Sequence, residues 1–304
     1  MNLNQITNLL VTITLVELMV AVGMSVRLSD LSEVARDWRL AARAVVGNYV
    51  IVPVATVVLL MLFRAPAMVA AGFLILAVCP GAPYGPPFTR LAKGNVVAAV
   101  GLMVLLAGSS AIVAPILLPV LLQRVSGEET LTVNASKIAG TLLLTQMVPL
   151  CVGIALRHRR PLLADRLQKP AELLSKILNL AVLVLILVAQ HRSLTQFTPR
   201  ALAGMLALLL ASLIAGYALG TRDGCTRRAM TLTTSLRNVG VGLVIATGSF
   251  PGTLAVTAVV LYGLVEVAGS LLLAIWWGRR DSALDDGQDV RSDDALLVGG
   301  NNPR

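Results

Sequence analysis

The sequence predicts an all-α polytopic membrane protein with nine transmembrane helices. Of its 304 residues, 56% are hydrophobic and only 13% are charged, whereas soluble domains carry about 45–50% apolar and about 25% charged residues. Apolar runs recur along the chain, each close to the roughly 20 residues with which a helix crosses the hydrocarbon core. A soluble enzyme is therefore excluded. A transmembrane β-barrel is not expected either, because strict alternation of polar and apolar residues is absent.

The predicted membrane domain covers residues 1–280. Its spans are 6–26, 44–63, 66–93, 95–122, 138–156, 171–190, 201–219, 229–249 and 252–278. The first span has no basic start, so we expect it to be retained rather than removed as a secretory signal. The polar, acidic segment 281–304 contains too few apolar residues to bury a core. It is predicted to be a disordered cytoplasmic tail.

The distribution of basic residues predicts how the protein is oriented. With nine spans and an external N-terminus, most of the 25 Lys and Arg residues fall in loops on the internal side. The positive-inside rule therefore favours an N-terminus outside and a C-terminus in the cytoplasm, in the cell (inner) membrane. These loops and their contact with anionic lipid account for the formal charge of +9. No nucleic-acid partner is expected, and the sequence leaves the oligomeric state open.

Two of the spans cannot be continuous helices. The third contains CPGAPYGPP, and the eighth carries Arg237 and Asn238 within TLTTSLRNVGVGL. The third segment loses four backbone hydrogen-bond donors to Pro80, Pro83, Pro86 and Pro87. Unwound backbone is tolerated at membrane depth only where it is buried in protein or lines a cavity. Interrupted helices in both halves of a chain are typical of secondary transporters built from inverted repeats.

Two charged residues inside spans are candidates for function. A charge at membrane depth is costly, so Arg237 and Glu266 are site hypotheses by default. Arg237 can attract an anionic substrate or replace a coupling ion, and the alternative is a structural counter-ion. Glu266 can pair with Arg237 and bind a proton in competition with that pairing, and the alternative is a passive ion pair.

The segment CPGAPYGPPFTRLAKGNV resembles the signature of the bile acid:sodium symporter family. Further matching stretches occur in the family's order: GMSVRLSDL, GNYVIVP, SLRNVGVGL and GSLLLAIWW. The resemblance implies the nine-helix form of the fold, with two inverted repeats whose broken helices cross in a core domain. The implied core comprises spans 44–63, 66–93, 95–122, 201–219, 229–249 and 252–278. The implied panel domain comprises spans 6–26, 138–156 and 171–190.

The resemblance also implies that the family's sodium ligands are largely substituted here. The residues at the first sodium site are Gly85, Pro86, Ala99, Met103 and Thr233, and those at the second are Asn48, Thr233 and Arg237. Sodium is a hard cation that oxygen ligands satisfy, and Arg237 brings a permanent positive charge instead. Sodium coupling is therefore expected to be weak or absent. A proton is a possible coupling ion, and no other cofactor is expected.

The predicted function is secondary transport of a small organic anion by alternating access. The anion is expected to be bile-acid-like, a 2-oxo acid or pantoate-like. The residues expected to bind it are Arg237, Asn238, Glu266, Pro83 and Tyr84. Asn48 and Tyr84 can equally form interhelical hydrogen bonds. Two alternatives stay open: an arsenite permease-like carrier that uses Cys79, and a non-transporting membrane sensor. No catalytic or metal-binding motif occurs, so an enzyme is not predicted.

Overall fold

The computed structural model describes residues 2–125, 131–190 and 198–299, and the regular elements within these ranges are helices. In chain order they are α1 (Leu3–Ser25), α2 (Leu28–Arg36), α3 (Trp38–Phe63), α4 (Ala67–Ala77), α5 (Gly85–Leu91), α6 (Val96–Val125), α7 (Ala135–Arg159), α8 (Pro161–Ala189), α9 (Pro199–Leu219), α10 (Gly224–Ser235), α11 (Val239–Ser249) and α12 (Leu254–Gly299).

Seven of these helices are long and apolar enough to cross a membrane. They are α1, α3, α6, α7, α8, α9 and the first part of α12, to Asp281. The prediction of an all-helical, multi-pass membrane protein is thus confirmed. The other two predicted spans are divided between α4 and α5 and between α10 and α11. The apolar helices in these two segments, α4 and α11, are shorter, so nine crossings remain a prediction.

Helix α1 packs along α7 and α8, whereas α9 packs against α3 and α10, and α12 packs against α4. The approach of α1 to α7 depends on two glycines that face each other. A Cβ atom on Gly23 would overlap the carbonyl oxygen of Leu150, and one on Gly153 would overlap that of Val20. Small residues of this kind allow membrane helices to approach closely, which compensates for the weak hydrophobic drive between helices in lipid.

Two long helices contain a π-helical turn, at Gly47–Ile51 in α3 and at Leu143–Met147 in α7. Pro53 and Pro149 follow these turns, and a proline ring inside a helix clashes with the carbonyl four residues earlier. A π turn relieves this clash locally. Each turn also holds a buried polar side chain, Asn48 in α3 and Gln146 in α7. Such turns are frequent at functional sites.

The structure adds helical residues at two connections and at the C-terminus. The connector 27–43 is largely helical, because Val34 and Leu40 bury their side chains in a cluster with α6. Helix α8 begins at Pro161 rather than at 171, since proline is favoured in the first turn of a helix. Helix α12 extends to Gly299, and the disordered tail 281–304 stays a prediction. No proline interrupts the backbone hydrogen bonding before residue 303.

Candidate transport site

The first break separates α4 from α5 and is deeply buried. Val78, Cys79 and Ala82 are almost inaccessible to solvent. Gly81 has a φ of +89°, and a Cβ atom there would overlap the backbone of Ala107 in α6. Only glycine satisfies both the left-handed conformation and the close approach. The proline-rich segment therefore unwinds, as predicted, and lies against α6.

The second break separates α10 from α11. Helix α10 ends at Ser235, Leu236 is extended, and Asn238 is the N-cap of α11. The Asn238 side-chain oxygen accepts a hydrogen bond of 3.2 Å from the amide of Val241. An asparagine at this position satisfies one of the amides that a helix N-terminus leaves free. The sequence prediction of a break around Arg237 and Asn238 is confirmed.

The two breaks cross and satisfy each other's backbone groups. Pro80 and Arg237 form an isolated antiparallel β-bridge. The Asn238 amide donates to the carbonyl oxygen of Cys79 at 2.7 Å, and the Asn238 side-chain nitrogen lies 3.5 Å from the carbonyl oxygen of Gly81. Unwound backbone at membrane depth is stable only when it finds such partners within the protein. We call this region the crossover.

Arg237 is a buried cation at the crossover, with 1% of its surface exposed. Its guanidinium donates to the side-chain oxygen of Asn48 and to the carbonyl oxygen of Thr234, both at 3.0 Å. Thr234 is in the last turn of α10, where free carbonyl groups favour a positive charge. The Nε atom of Arg237 has no hydrogen-bond partner in the described part of the chain.

Glu266 is fully buried on α12, and one of its oxygens accepts a hydrogen bond of 2.9 Å from the backbone amide of Arg237. The hypothesis of a direct ion pair between the two side chains is wrong, since no such pair is formed in the described structure. The break frees the Arg237 amide for Glu266, while Asn48 and Thr234 hold the guanidinium. The second carboxylate oxygen of Glu266 has no partner among the described residues.

The positions at which the resemblance implies sodium ligands provide few free side-chain oxygens. The Asn48 side-chain oxygen is engaged by Arg237, and the Thr233 hydroxyl donates to the carbonyl oxygen of Ala229 at 2.7 Å. Gly85 packs against Thr233, where an added Cβ would lie 3.1 Å from its methyl carbon. Pro86 has no polar side-chain atom. The Arg237 guanidinium therefore occupies the Asn48 oxygen, which could otherwise bind an ion.

A cavity of about 340 Å³ lies beside the crossover. It is bounded by α1, α8, α11, α12 and the end of the first break. Of the five residues predicted to bind substrate, Pro83, Tyr84 and Asn238 line it, whereas Arg237 and Glu266 lie outside its lining. Asn238 and Val239, the two residues that follow Arg237, are part of the lining. Cys79 does not line this cavity either.

Two polar cavity residues, Thr14 of α1 and Asn179 of α8, are missing from the sequence prediction. Asn179 donates to the carbonyl oxygen of Ser175 at 2.8 Å, which orients its amide along α8. The sequence does contain a signal for Asn179, because it is a polar residue within an apolar span. Helical spacing alone, however, does not tell which face of α8 meets the crossover. The remaining walls are mainly leucine and valine.

The comparisons with known proteins agree with this architecture. The profile of the sodium bile acid symporter family matches residues 12–197, more than half of the chain. The Bacillus subtilis (strain 168) protein named "Uncharacterized sodium-dependent transporter YocS" is 24% identical over 276 residues, covering 88% of this chain and 82% of the relative. The "Probable sodium/metabolite cotransporter BASS2, chloroplastic" of Oryza sativa subsp. japonica is 23% identical, covering 93% and 67%.

A second protein of Oryza sativa subsp. japonica, "Probable sodium/metabolite cotransporter BASS1, chloroplastic", is 26% identical over 269 residues, covering 85% of this chain and 63% of that protein. The helical, multi-pass architecture and the matched signature point to a membrane transporter. On these grounds, the chain belongs to the sodium bile acid symporter family.

Proposed function

We propose that this protein is a secondary transporter that moves a small organic anion by alternating access. The observation that carries the proposal is the crossover of two helix breaks beside a cavity. The cavity lies between two groups of helices. Helices α1, α7 and α8 form the panel, and the helices around the crossover form the core. Movement of one group against the other would open the cavity to each side of the membrane in turn.

The cavity favours a small substrate that combines a negative charge with an apolar body. Its volume of about 340 Å³ is at the lower end of the range for small-molecule sites. Its walls are mostly aliphatic, while the Asn238 amide and the Tyr84 hydroxyl supply polar contacts. Helix α11 begins at Val239, so the positive end of its dipole favours an anion there. A 2-oxo acid or pantoate-like acid fits this chemistry, and a bile salt needs a wider opening.

Sodium independence is the second part of the proposal. Arg237 holds a fixed positive charge at a family ion position and contacts Asn48. This tethered cation would perform electrostatically what a bound sodium ion does in a symporter. The names of the relatives describe them as sodium-dependent or sodium/metabolite transporters. Sodium coupling is therefore the alternative against which this proposal has to be tested.

The proposed orientation places the N-terminus outside and the C-terminus in the cytoplasm, in the cell (inner) membrane. The excess of basic residues in the internal loops supports it. Arg237 carries its positive charge whichever way the protein lies in the membrane, so the transport proposal does not require this orientation.

The test is the melting temperature of the purified protein with pantoate, pyruvate or taurocholate, each in sodium and in choline buffer. We expect one anion to stabilise the protein equally in both buffers, because binding to the folded state raises its stability. Reconstituted liposomes should then exchange labelled anion of the same kind. Stabilisation that occurs only in sodium contradicts the tethered-cation proposal. Binding without exchange supports a sensor instead of a carrier.

A further inference from the structure

A stripe of polar residues runs along one face of α12. Tyr262, Glu266 and Ser270 follow one another at intervals of four residues, and all three are buried, with at most 1% exposure. The Ser270 hydroxyl is paired with that of Ser235, at 3.0 Å. Tyr262 and Glu266 precede Ser270 on this face, and the Tyr262 hydroxyl and Glu266 Oε2 have no hydrogen-bond partner among the described residues. The hydrogen bonds of the stripe are therefore complete at Ser270 and incomplete at Glu266 and Tyr262.

Unpartnered polar atoms are concentrated around this stripe. Six buried side-chain nitrogen or oxygen atoms in the described chain have no hydrogen-bond partner. Four of them belong to the stripe or to residues beside it: Glu266 Oε2, Arg237 Nε, Tyr262 OH and Ser212 Oγ. Ser212 faces Tyr262 from α9, and their two hydroxyl groups are close enough to interact with each other, so Glu266 Oε2 and Arg237 Nε are the atoms of this group that have no neighbour to bond with. Folded proteins rarely leave such groups unsatisfied, so this cluster is able to take a further hydrogen-bonding partner or a proton.

The charge balance of the core is simple. Within the helices α3 to α6 and α9 to α12 as far as Arg280, Glu266 is the one carboxylate, and Asp223 lies in the loop between α9 and α10. It lies next to Arg237, the one fully buried cation among the residues that the structure describes. Among titratable groups, Tyr262 lies beside Glu266 on the same helix, and Tyr49 and Cys79 lie around the guanidinium. With Glu266 ionised, the positive and negative charges of the cluster cancel.

We propose that Glu266 binds one proton in each transport cycle and that this proton is transported together with the anion. The inference rests on the proposed transport function. A proton from water on one side bonds to Glu266 Oε2 and removes its negative charge. The charge of Arg237 is then uncompensated in a medium of low dielectric, where an anion in the adjacent cavity is strongly favoured. On the other side, the anion leaves and the proton returns to water, so no net charge crosses.

The route of the proton to Glu266 is indicated by Tyr262. Its ring lies 5.4 Å from that of Phe73, and Phe73 lines a second cavity of about 250 Å³ between α3, α4 and α9. Exposed Arg64 and Arg200 are part of the lining of this cavity. Hydroxyl groups both donate and accept hydrogen bonds. Neither Tyr262 nor Ser212 lines this cavity, so the proposed route runs from the cavity past Phe73 to their hydroxyl groups and on to Glu266.

The first experiment needs no substrate. Infrared difference spectra of the purified full-length protein between alkaline and mildly acidic pH should contain a carboxyl band that Glu266→Gln removes. Gln keeps the oxygen that accepts from Arg237, so the variant should fold with an unchanged melting temperature. The matched control is Glu17→Gln, because Glu17 also has one buried oxygen without a partner but bonds to Ser175, not to the crossover. A spectrum without a Glu266 band overturns the proposal.

The second experiment measures coupling. For whichever of pantoate, pyruvate and taurocholate binds the wild type, the affinity should strengthen about tenfold per pH unit as the pH falls, while free Glu266 is ionised. Glu266→Gln should hold the affinity within about twofold over the same range, and Glu17→Gln should keep the wild-type slope. Tyr262→Phe should slow proton-driven uptake without changing the slope.

The outcomes separate the two proposals. Proton coupling is overturned if the anion is exchanged but its affinity does not depend on pH. It is also overturned if Glu266→Gln keeps the pH dependence of the affinity. Neither result contradicts the transport proposal. If none of the three anions binds or is exchanged, the transport proposal fails for these substrates. Coupling to the anion then fails with it, and the infrared band decides proton binding by Glu266 alone.

Discussion

The backbone amide of Asn238 donates a 2.7 Å hydrogen bond to the carbonyl oxygen of Cys79, which joins the two helix breaks. The preceding amide, that of Arg237, donates in a different direction, to Glu266 at 2.9 Å. Two successive donors freed by one break are therefore satisfied by two separate elements. Because the two amides donate in different directions, the Arg237 side chain lies against Asn48 and Thr234, outside the cavity lining. The Asn238 side chain lines the cavity.

Gly81→Ala should destabilise the protein strongly. A left-handed residue other than glycine costs about 1–2 kcal/mol, and the added methyl group also overlaps the backbone of Ala107. We expect the melting temperature of the purified protein to fall by several degrees and the exchange of anions to be lost. Gly140→Ala in α7 is the control, since nothing lies within 4 Å of its added Cβ. An equal effect of both substitutions argues against a special role of the first break.

Asn238 has two roles that substitutions can separate. Its side-chain oxygen caps α11, and its amide lines the cavity. Asn238→Ala removes both and should cost about 1 kcal/mol of stability, whereas Asn238→Ser keeps a capping oxygen. The serine variant should therefore melt close to the wild type, yet both variants should lose affinity for the anion. Tight binding by the serine variant would show that the amide does not contact the substrate.

The charge at position 237 should decide which cation the protein uses. The double substitution Thr233→Glu with Arg237→Gln places a carboxylate and a neutral amide at two positions where the resemblance implies sodium ligands. It removes the guanidinium from Asn48 and adds oxygen ligands that suit a hard cation. We expect sodium to raise the melting temperature of this variant and to leave that of the wild type unchanged, measured against choline. A wild type that sodium stabilises as strongly as the variant contradicts the tethered-cation proposal.

The helical membrane fold and both breaks could be predicted from the sequence because prolines, glycines and apolar runs act locally. The positions of Pro83, Tyr84 and Asn238 at the cavity follow from their places in these breaks. The direction of the Arg237 side chain does not, because it depends on Asn48, 189 residues away along the chain. The same holds for Asn179, whose place at the cavity is fixed by the packing of α8 against α1.

The proposed orientation can be tested with a cysteine that the protein already contains. Cys225 is exposed at the start of α10, on the side predicted to be cytoplasmic, and Cys79 is buried. Cys151 is exposed within α7 and lies in the predicted transmembrane span 138–156, where a polar reagent has little access. A membrane-impermeant maleimide should therefore label the protein only after cells are lysed, and Cys225→Ser should abolish that labelling. Labelling of Cys225 in intact cells would reverse the orientation and place the C-terminus outside.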